Sequence, residues 1–276
     1  MPELPEVQTI VNDLTKARLI NVPITGAHVF WQRSIATGSP RSFPGQVIGR
    51  NFGSIWRRGK YIGFDFNGGG HLLLHLRMSG RLHLVSAGMR RAKHEHVVLS
   101  FQDDRELRLY DPRKFGRLYL VKDADLILGR LGPEPLGRTF TAVYLKKILS
   151  SRKRLIKPLL LDQNVIAGLG NIYVDEALWD AGIHPCRIAS SLSSDQVHGL
   201  YRAIRKVLKQ GIANAGTSLG TGKGNFHSIT RQMGSNQNHL HVYRQTGLPC
   251  PRCKTPIERL VVGQRGTHIC INCQSL

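Results

Sequence analysis

The sequence predicts an α+β protein of several domains, in which a leading helix and a β-sandwich are followed by a helical domain and a small cysteine-bearing hairpin. Two observations support this order. Apolar residues alternate with polar ones up to about residue 122, and then recur at helical spacing. Four of the five cysteines lie in the last 27 residues, as two Cys-x-x-Cys pairs. We therefore divide the chain into domains at residues 1–130, 131–240 and 241–276.

The first seven residues, MPELPEV, predict the start of a helix. Pro5 suits a first helical turn, and the carboxylates of Glu3 and Glu6 complement the positive end of the helix dipole. The apolar residues that share one helical face are Val7, Ile10, Val11 and Leu14. We therefore predict a helix from Pro5 to Lys16. A helix start does not explain Pro2.

Short runs of alternating apolar residues follow the leading helix and predict strands. Residues 61–66 alternate between two faces, and so do residues 97–101. Turn-forming stretches at 67–70 and 102–104 separate such runs, which is typical of a β-sandwich or a barrel. The sequence Gly-Pro-Glu-Pro at 132–135 ends this pattern and predicts a linker.

Helical spacing dominates beyond the linker. Residues 197–208 trace one apolar face, and Ser193 or Ser194 is the predicted N-cap of that helix. A Gly-rich turn at 166–171 leads directly into another helical stretch. Residues 214–238 are rich in Gly, Ser, Asn and Thr, and they predict a long mobile loop.

The chain is strongly basic, with 39 Lys and Arg against 18 Asp and Glu and a formal net charge of +21. Residues 1–150 carry +11 of this excess and residues 151–276 carry +10. Because both halves share the charge, the pattern favours nucleic acid as a partner. The opening residues are unlike a signal peptide, and no apolar run is long enough to span a bilayer. We therefore expect a soluble cytoplasmic protein without a membrane partner.

The cysteine spacing is the most specific local pattern. One Cys-x-x-Cys pair occupies 250–253, the other occupies 270–273, and sixteen residues separate them. Four thiolates at this spacing are typical of a closed tetrahedral zinc site, with no open position for catalysis. One structural Zn²⁺ is therefore predicted, with the ligands Cys250, Cys253, Cys270 and Cys273.

The residues between the two pairs predict a hairpin. Residues 257–262 and 267–269 have the composition of strands, and Gly-Gln-Arg-Gly at 263–266 joins them. The zinc would then hold a turn that presents Arg265. In a chain with this charge, we expect that guanidinium to contact a phosphate.

Three motifs together resemble the bacterial formamidopyrimidine-DNA glycosylase (Fpg or MutM) family: MPELPEV, the run GLGNIY with DEA at 168–177, and the terminal cysteine pairs. The resemblance extends over nearly the whole chain. It implies a β-sandwich with a leading helix, a helix–two-turn–helix domain and a zinc finger. It also implies a monomeric base excision repair enzyme that binds duplex DNA containing oxidised bases or abasic sites. Such an enzyme excises oxidised purines, 8-oxoguanine and formamidopyrimidines, and nicks the strand by β,δ-elimination.

The catalytic residues are carried over from the resemblance. Removal of Met1 would leave Pro2 with a free secondary amine, which attacks the anomeric carbon, expels the base and forms an iminium. Glu3 acts as general acid and base. Lys60 lies at the phosphate and sugar of the lesion, and Arg265 completes the set. Without the resemblance, Lys60 would also fit an ordinary lysine at a strand end.

Further DNA contacts are implied at four positions. Asn171 follows two glycines at a predicted helix N-terminus, where its amide and free backbone N–H groups can face one anion. A helix cap is the alternative role for Asn171, and the two roles are compatible. Lys157, Tyr243 and His75 are assigned to the DNA-binding set by the resemblance.

The resemblance also implies a wedge that fills the gap left by an extruded base. Its members are Met78, in RMSG at 77–80, and Arg113 with Phe115, in PRKFG at 112–116. Without the resemblance, Met78 and Phe115 would be expected in the core.

Two other functions remain open from the sequence. One is an endonuclease VIII-like glycosylase that prefers oxidised pyrimidines, although its members usually have Gly where this chain has Leu4. The other is a non-catalytic zinc-finger DNA-binding protein on the same fold, against which Pro2, Glu3 and Lys60 together argue. The segment 217–240 takes the place of the loop that closes over the extruded base, and its sequence departs from the common family pattern. Lesion preference is therefore left open.

Overall fold

The computed structural model describes residues 1–220 and 226–276, and these residues pack as two units. The first unit contains Met1–Arg130 and Ala215–Ser235. The second contains Leu131–Asn214 and Asn236–Leu276. No helix among the described residues is both long enough and apolar enough to cross a membrane.

The first unit contains the predicted leading helix and strands. Its elements are α1 (Leu4–Lys16), β1 (Ile24–Val29), α2 (Phe43–Val47), β2 (Phe52–Arg58), β3 (Tyr61–Phe66), β4 (His71–His75), β5 (Arg81–Ser86), β6 (Glu95–Phe101), β7 (Arg105–Tyr110), β8 (Arg117–Val121) and α3 (Asp125–Leu128). Among the described residues the strands form two four-stranded antiparallel sheets, ordered β1-β6-β7-β5 and β2-β3-β4-β8.

The core of the first unit explains why these elements form. The inward residues of α1 share one face and are almost fully buried, as the sequence predicts. Phe52 anchors the aromatic part of the core, with ring centroids 4.7 Å from Phe64 and 5.2 Å from Phe66. Phe226 and Ile229 join the same core. Because these two side chains are buried there, the described part of 215–235 packs with the first unit rather than with the helices that precede it in sequence.

The second unit is helical, with a terminal hairpin. Its elements are α4 (Ala142–Ser150), α5 (Ile156–Leu160), α6 (Asn171–Asp180), α7 (Ser194–Ala213), β9 (Glu258–Val262) and β10 (Arg265–Ile269). Ser193 is the N-cap of α7, and its hydroxyl accepts the Gln196 N–H at 3.2 Å. Helices α6 and α7 approach closely at Gly211, where a Cβ would come within 2.6 Å of the Tyr173 ring.

The hairpin differs in one detail from the prediction. Its turn is the two-residue pair Gly263-Gln264, with φ of +54° and +63°. Two positive φ values match the twist of a tight hairpin. The first strand ends at Val262 as predicted, and the second begins two residues earlier than predicted. Arg265 is therefore the first residue of β10, paired with Val262, and its side chain is exposed.

The predicted loop at 214–238 contains no helix or strand in the parts 215–220 and 226–235 that the structure describes. A short 3₁₀ helix, Asn236–His239, begins within the last three residues of the predicted loop. Residues 221–225, which belong to the segment predicted to close over the base, lie outside the described residues.

Candidate active site and metal centre

The N-terminus of α1 is held by a capping box of two buried carboxylates, in which the Glu3 side chain accepts the Glu6 backbone N–H and the Glu6 side chain accepts the Glu3 backbone N–H. Pro2 and Glu3 are both buried and directly precede the helix. Glu6 Oε2 accepts the backbone N–H of Glu3 at 2.8 Å, and Glu6 Oε1 accepts the backbone N–H of Thr217 at 2.7 Å. Gly216 packs so closely that a Cβ would lie 3.0 Å from Glu6 Cγ. Glu6 thus ties the segment at 216–217 to the backbone that carries Pro2.

Lys60 and His75 are both buried at the same end of one sheet. Lys60 lies in the turn between β2 and β3, and His75 ends β4 opposite Tyr61. The exposed fractions are 6% for Lys60 and 8% for His75. Burial, reinforced by the charges of Arg77 and Lys60, lowers the pKa of His75 to about 3. The imidazole is therefore neutral at physiological pH.

The tautomer of His75 follows from its neighbour. Its Nδ1 accepts the backbone N–H of Arg77 at 3.0 Å, so the proton of the neutral ring is on Nε2. The ring also packs edge-on against Tyr61, with 4.6 Å between centroids. His75 can thus offer one neutral N–H donor beside the buried ammonium of Lys60.

The three predicted wedge side chains lie together on the surface of the first unit. Met78 is 41% exposed and Phe115 is 40% exposed, so neither occupies the core. The Arg113 guanidinium lies 4.9 Å from the Phe115 ring centroid, and its Nη1 lies 3.6 Å from Met78 Sδ. A cavity of about 370 Å³ is lined by residues of both turns, together with Met1.

In the second unit, Lys157 is fully buried, and its ammonium is bound by groups of α6 and β10. Its Nζ donates to Asp175 Oδ1 at 2.6 Å, to Thr267 Oγ1 at 2.7 Å and to the Gly266 carbonyl at 3.1 Å. Asn171 Nδ2 donates to the same carbonyl at 2.9 Å. Lys157 and Asn171 therefore hold the start of β10 against α6, directly beside Arg265. The predicted contact of Lys157 with DNA stays a prediction.

Tyr243 is positioned by another carboxylate on α6. The Glu176 side chain accepts the backbone N–H groups of His241, Val242 and Tyr243 at 2.8 to 2.9 Å. The Tyr243 ring packs against His268, with 4.9 Å between centroids. Asp175 Oδ2 in turn accepts the His268 N–H at 2.9 Å. The motif DEA thus organises the surroundings of both Tyr243 and β10.

The four predicted cysteines form a metal site. Their Sγ atoms all lie within 4.8 Å of one another, and they are the group with metal-binding geometry found in the described ranges 1–220 and 226–276. The separations include 3.3 Å for Cys253–Cys270 and 3.9 Å for Cys250–Cys273. A tetrahedron with Zn–S bonds of about 2.3 Å requires sulfur separations of about 3.8 Å. The donor set therefore fits one structural zinc.

The first knuckle of this site is docked on α6. The Arg252 guanidinium lies 3.9 Å from the Trp179 ring and donates to the Trp179 carbonyl at 2.8 Å. The fifth cysteine, Cys186, is half-buried, and burial raises the pKa of its thiol. Among the described residues, Cys186 belongs to no group of side chains with metal-binding geometry.

Three family models match successive parts of the chain. They are the formamidopyrimidine-DNA glycosylase N-terminal domain at residues 1–118, the formamidopyrimidine-DNA glycosylase H2TH domain at 131–222, and the zinc finger found in FPG and IleRS at 247–276. The chain belongs to the formamidopyrimidine-DNA glycosylase family. The family recognised from the sequence is thereby confirmed, together with the fold class and the four-cysteine zinc finger.

Similar formamidopyrimidine-DNA glycosylases are known from several bacteria. The chain is 45% identical to the one from Protochlamydia amoebophila, with 99% of each chain covered. It is 46% identical to the one from Roseiflexus sp., with 99% of this chain and all of that one covered. Its fold matches a Lactococcus lactis FPG mutant in complex with a Fapy-dG containing DNA, with a TM-score of 0.93, 35% identity and 100% of both chains covered. It also matches Lactococcus lactis Fpg in complex with an abasic site containing DNA, with a TM-score of 0.92, 35% identity, and 99% of this chain and 100% of that one covered.

Sequence reasoning about this member of the Fpg family missed several positioning residues. Asp175 and Glu176 were noted only as part of the DEA motif, and no role was predicted for either. Asp111 was not predicted to have a role, although its side chain bonds both wedge turns. Their charge is the sequence signal that could have identified them, because acidic residues are few in so basic a chain. In the structure, each of these carboxylates accepts hydrogen bonds from nearby donors. The individual roles of the site residues stay predictions.

Proposed function

We propose that this member of the Fpg family is a bifunctional DNA glycosylase and AP lyase of base excision repair. Its substrate is duplex DNA that carries 8-oxoguanine or formamidopyrimidine lesions, or an abasic site. Family membership over the whole chain supports the glycosylase activity. The similar Lactococcus lactis enzyme in complex with Fapy-dG DNA and with abasic DNA supports the substrate.

The observation that carries this proposal is the buried start of α1, where Pro2 and Glu3 are fixed by Glu6. Once Met1 is removed, the secondary amine of Pro2 forms a bond to C1′ of the damaged nucleoside while the glycosidic bond breaks. The base departs with the electron pair and takes up the proton that the Pro2 nitrogen loses as it becomes a tertiary amine. Glu3 gives a proton to the sugar ring oxygen, so that the ring opens to an iminium between Pro2 and C1′.

The iminium then permits strand cleavage. It acidifies the C2′ proton, and removal of that proton expels the 3′ phosphate by β-elimination. A second elimination, in which the sugar remnant loses a further proton, expels the 5′ phosphate, and hydrolysis of the remaining iminium releases Pro2. Burial of the amine disfavours its protonated form, which raises the fraction available to attack. Nearby cations in a chain of this charge act in the same direction.

The buried cation and the neutral imidazole have separate tasks. Lys60 supplies a fixed positive charge for the phosphate and sugar of the lesion. His75 supplies an Nε2–H donor to a phosphate oxygen without adding a second charge to the site. Because a neutral His75 does not repel Lys60, both groups can remain buried.

The wedge and the zinc finger account for the remaining contacts. Met78 and Phe115 supply exposed apolar surface to fill the vacated stack, and Arg113 supplies donors to the base left without a partner. Arg265 at the start of β10 contacts a phosphate, and Asn171 and Tyr243 contact the backbone nearby. The four cysteines hold the zinc, which keeps the hairpin folded. The enzyme acts as a monomer in the cytoplasm.

The segment 217–240 is proposed to close over the extruded base. The Thr217 N–H in its described portion donates to Glu6. The same carboxylate accepts the backbone N–H of Glu3, so it joins this segment to the backbone that carries Pro2. Lesion preference is set by this segment.

A panel of duplexes tests the proposed function. Single-turnover excision should be fastest for 8-oxoguanine and formamidopyrimidine lesions, and each excision should be followed by a strand break with phosphates at both ends. Glu3→Gln should slow excision strongly while DNA affinity is retained. Faster excision of oxidised pyrimidines would favour the endonuclease VIII-like alternative. Tight binding without excision of any base would favour a non-catalytic DNA-binding protein.

A further inference from the structure

The two turns that carry the wedge share one buried carboxylate. Asp111 directly follows β7 and is 1% exposed. Its Oδ1 accepts the Ser79 hydroxyl, in the turn that carries Met78. Its Oδ2 accepts the backbone N–H groups of Phe115 at 2.7 Å and Gly116 at 2.6 Å. One side chain therefore connects two turns that are more than thirty residues apart in sequence.

The bonding pattern requires a carboxylate. The Asp111 side chain accepts three backbone N–H groups, which can only donate, and the Ser79 hydroxyl; one of the three, the Arg113 N–H, lies 3.2 Å from Oδ1, the oxygen that also accepts Ser79. An ionised carboxylate has acceptors on both oxygens, whereas an amide presents an NH₂ on one side. Asparagine would therefore place a donor against the donors of at least one turn.

Both turns also contain backbone that has to be held in place. Arg77 has φ +55° and Lys114 has φ +60°, which are conformations that side-chain-bearing residues adopt at a cost. A Cβ on Gly116 would lie 3.3 Å from Asp111 Oδ2, so the second turn is folded tightly over the carboxylate. The main chain of Asp111 is fixed as well, since its carbonyl accepts His96 Nε2–H at 2.8 Å.

We propose that Asp111 is a positioning residue that makes Met78, Arg113 and Phe115 act as one rigid wedge. The inference rests on the proposed function, because it concerns how this enzyme displaces a base. Without the carboxylate, the two turns would move independently, and the three side chains would no longer enter the stack in one arrangement. Asp111 itself does not contact the reacting atoms.

This role has a specific kinetic consequence. Excision from a duplex requires a paired and stacked base to be displaced, whereas an abasic site has no base to displace. Loss of wedge rigidity should therefore slow base excision more than strand cleavage at a preformed abasic site. A purely structural role would lower both rates by the same factor.

The test compares the two rates under single-turnover conditions in the full zinc-loaded chain. Asp111→Asn should slow excision of 8-oxoguanine by roughly 10- to 100-fold, since hydrogen bonds to a charged group are lost. Cleavage at a preformed abasic site should change by less than about threefold, because the nucleophile and its surroundings are unaltered. The rates of excision of one lesion placed opposite each of the four normal bases should also become more alike, since Arg113 is no longer held in position to contact the opposite base.

Two variants keep the test independent of folding. Ser79→Ala releases only the turn of Met78, and it should slow excision by roughly two- to tenfold with no change in abasic-site cleavage. Asp65→Asn is the control, because the Asp65 carboxylate of the same unit also joins two neighbouring strands, through the Ser54 hydroxyl and through His71 Nδ1 at 2.6 Å, at the end of β3 and β4 opposite to Tyr61 and His75. It should lower stability without changing the ratio of the two rates.

The outcomes are distinguishable. If Asp111→Asn lowers both rates by one factor, as a general loss of stability would, the positioning role is wrong and the proposed function still stands. If the unaltered chain neither excises a base nor cleaves an abasic site, the proposed function and this inference both fail.

Discussion

The buried ion pair between α5 and α6 yields the sharpest prediction about the zinc-finger hairpin. Lys157 and Asp175 are both 0% exposed, and their charged atoms are 2.6 Å apart. Asp175→Asn preserves the size of the side chain but leaves the ammonium without its counter-charge. Removal of one partner of a buried ion pair destabilises a protein by about 3–5 kcal/mol. Because no cavity is created, we expect a loss near the lower limit, about 3 kcal/mol, or roughly a hundredfold in the equilibrium constant.

The same helix provides the matched control. Asp180 is the last residue of α6 and pairs with Lys206 at 2.7 Å and with Arg252 at 3.3 Å, but the side chains of these partners are 65% and 40% exposed. Exposed ion pairs contribute about 0–1 kcal/mol. Asp180→Asn removes the same charge from the same helix, so it should destabilise the chain far less than Asp175→Asn.

Denaturant unfolding of the zinc-loaded chain measures the difference. Affinity for undamaged duplex should fall in parallel in Asp175→Asn, because β10 carries Arg265 and is held by this pair. Lys157→Met combined with Asp175→Asn should be less destabilising than the sum of the two single changes, since no unpaired charge remains. Equal effects of Asp175→Asn and Asp180→Asn on both stability and affinity would refute the reasoning.

Three further predictions concern the metal, one histidine and the start of α1. Removal of zinc, or Cys250→Ser, should unfold the hairpin, because structural zinc contributes on the order of 10 kcal/mol to the folding of small modules. DNA affinity should then be lost while the first unit stays folded. Full DNA affinity in the metal-free protein would contradict this prediction. The folded-state pKa of His75 is about 3, below its ordinary value of 6.5, so the unfolded chain binds more protons between these values. Stability should therefore fall as the pH falls through that window, and urea unfolding of His75→Gln should show a weaker pH dependence. Glu6→Gln should slow excision and accelerate hydrogen exchange at the Thr217 amide. The reason is that Glu6 accepts two backbone N–H groups, and one of them would face the NH₂ of glutamine. Unchanged exchange at Thr217 would argue against the role of Glu6 in holding this segment.

The parts of this protein that were predictable from sequence are those whose signals are local. The period of apolar residues indicated α1 and the strands, and the spacing of the cysteines indicated the metal ligands. The sequence left two serines as candidates for the N-cap of α7, and the structure identifies Ser193 by the capping box that it forms with Gln196. Each of these features depends on residues that are near in sequence.

The features that were missed depend on distant residues. The ammonium of Lys157 is bound to partners 18 and 110 positions away, which no local pattern shows. Asp111 bonds Ser79 from 32 positions away. The start of β10 was predicted two residues too late. The cause is that composition does not distinguish a two-residue turn with two positive φ values from a longer turn.

The central claim is that the amine of Pro2 is the nucleophile. Borohydride reduction of the enzyme on duplex DNA that contains 8-oxoguanine tests it most directly, because reduction fixes the iminium between protein and C1′. Peptide mapping should place the DNA adduct on Pro2 as the first residue, and protein that retains Met1 should give no adduct. An adduct found only on Lys60, or trapping that is equally efficient with Met1 in place, would contradict the account.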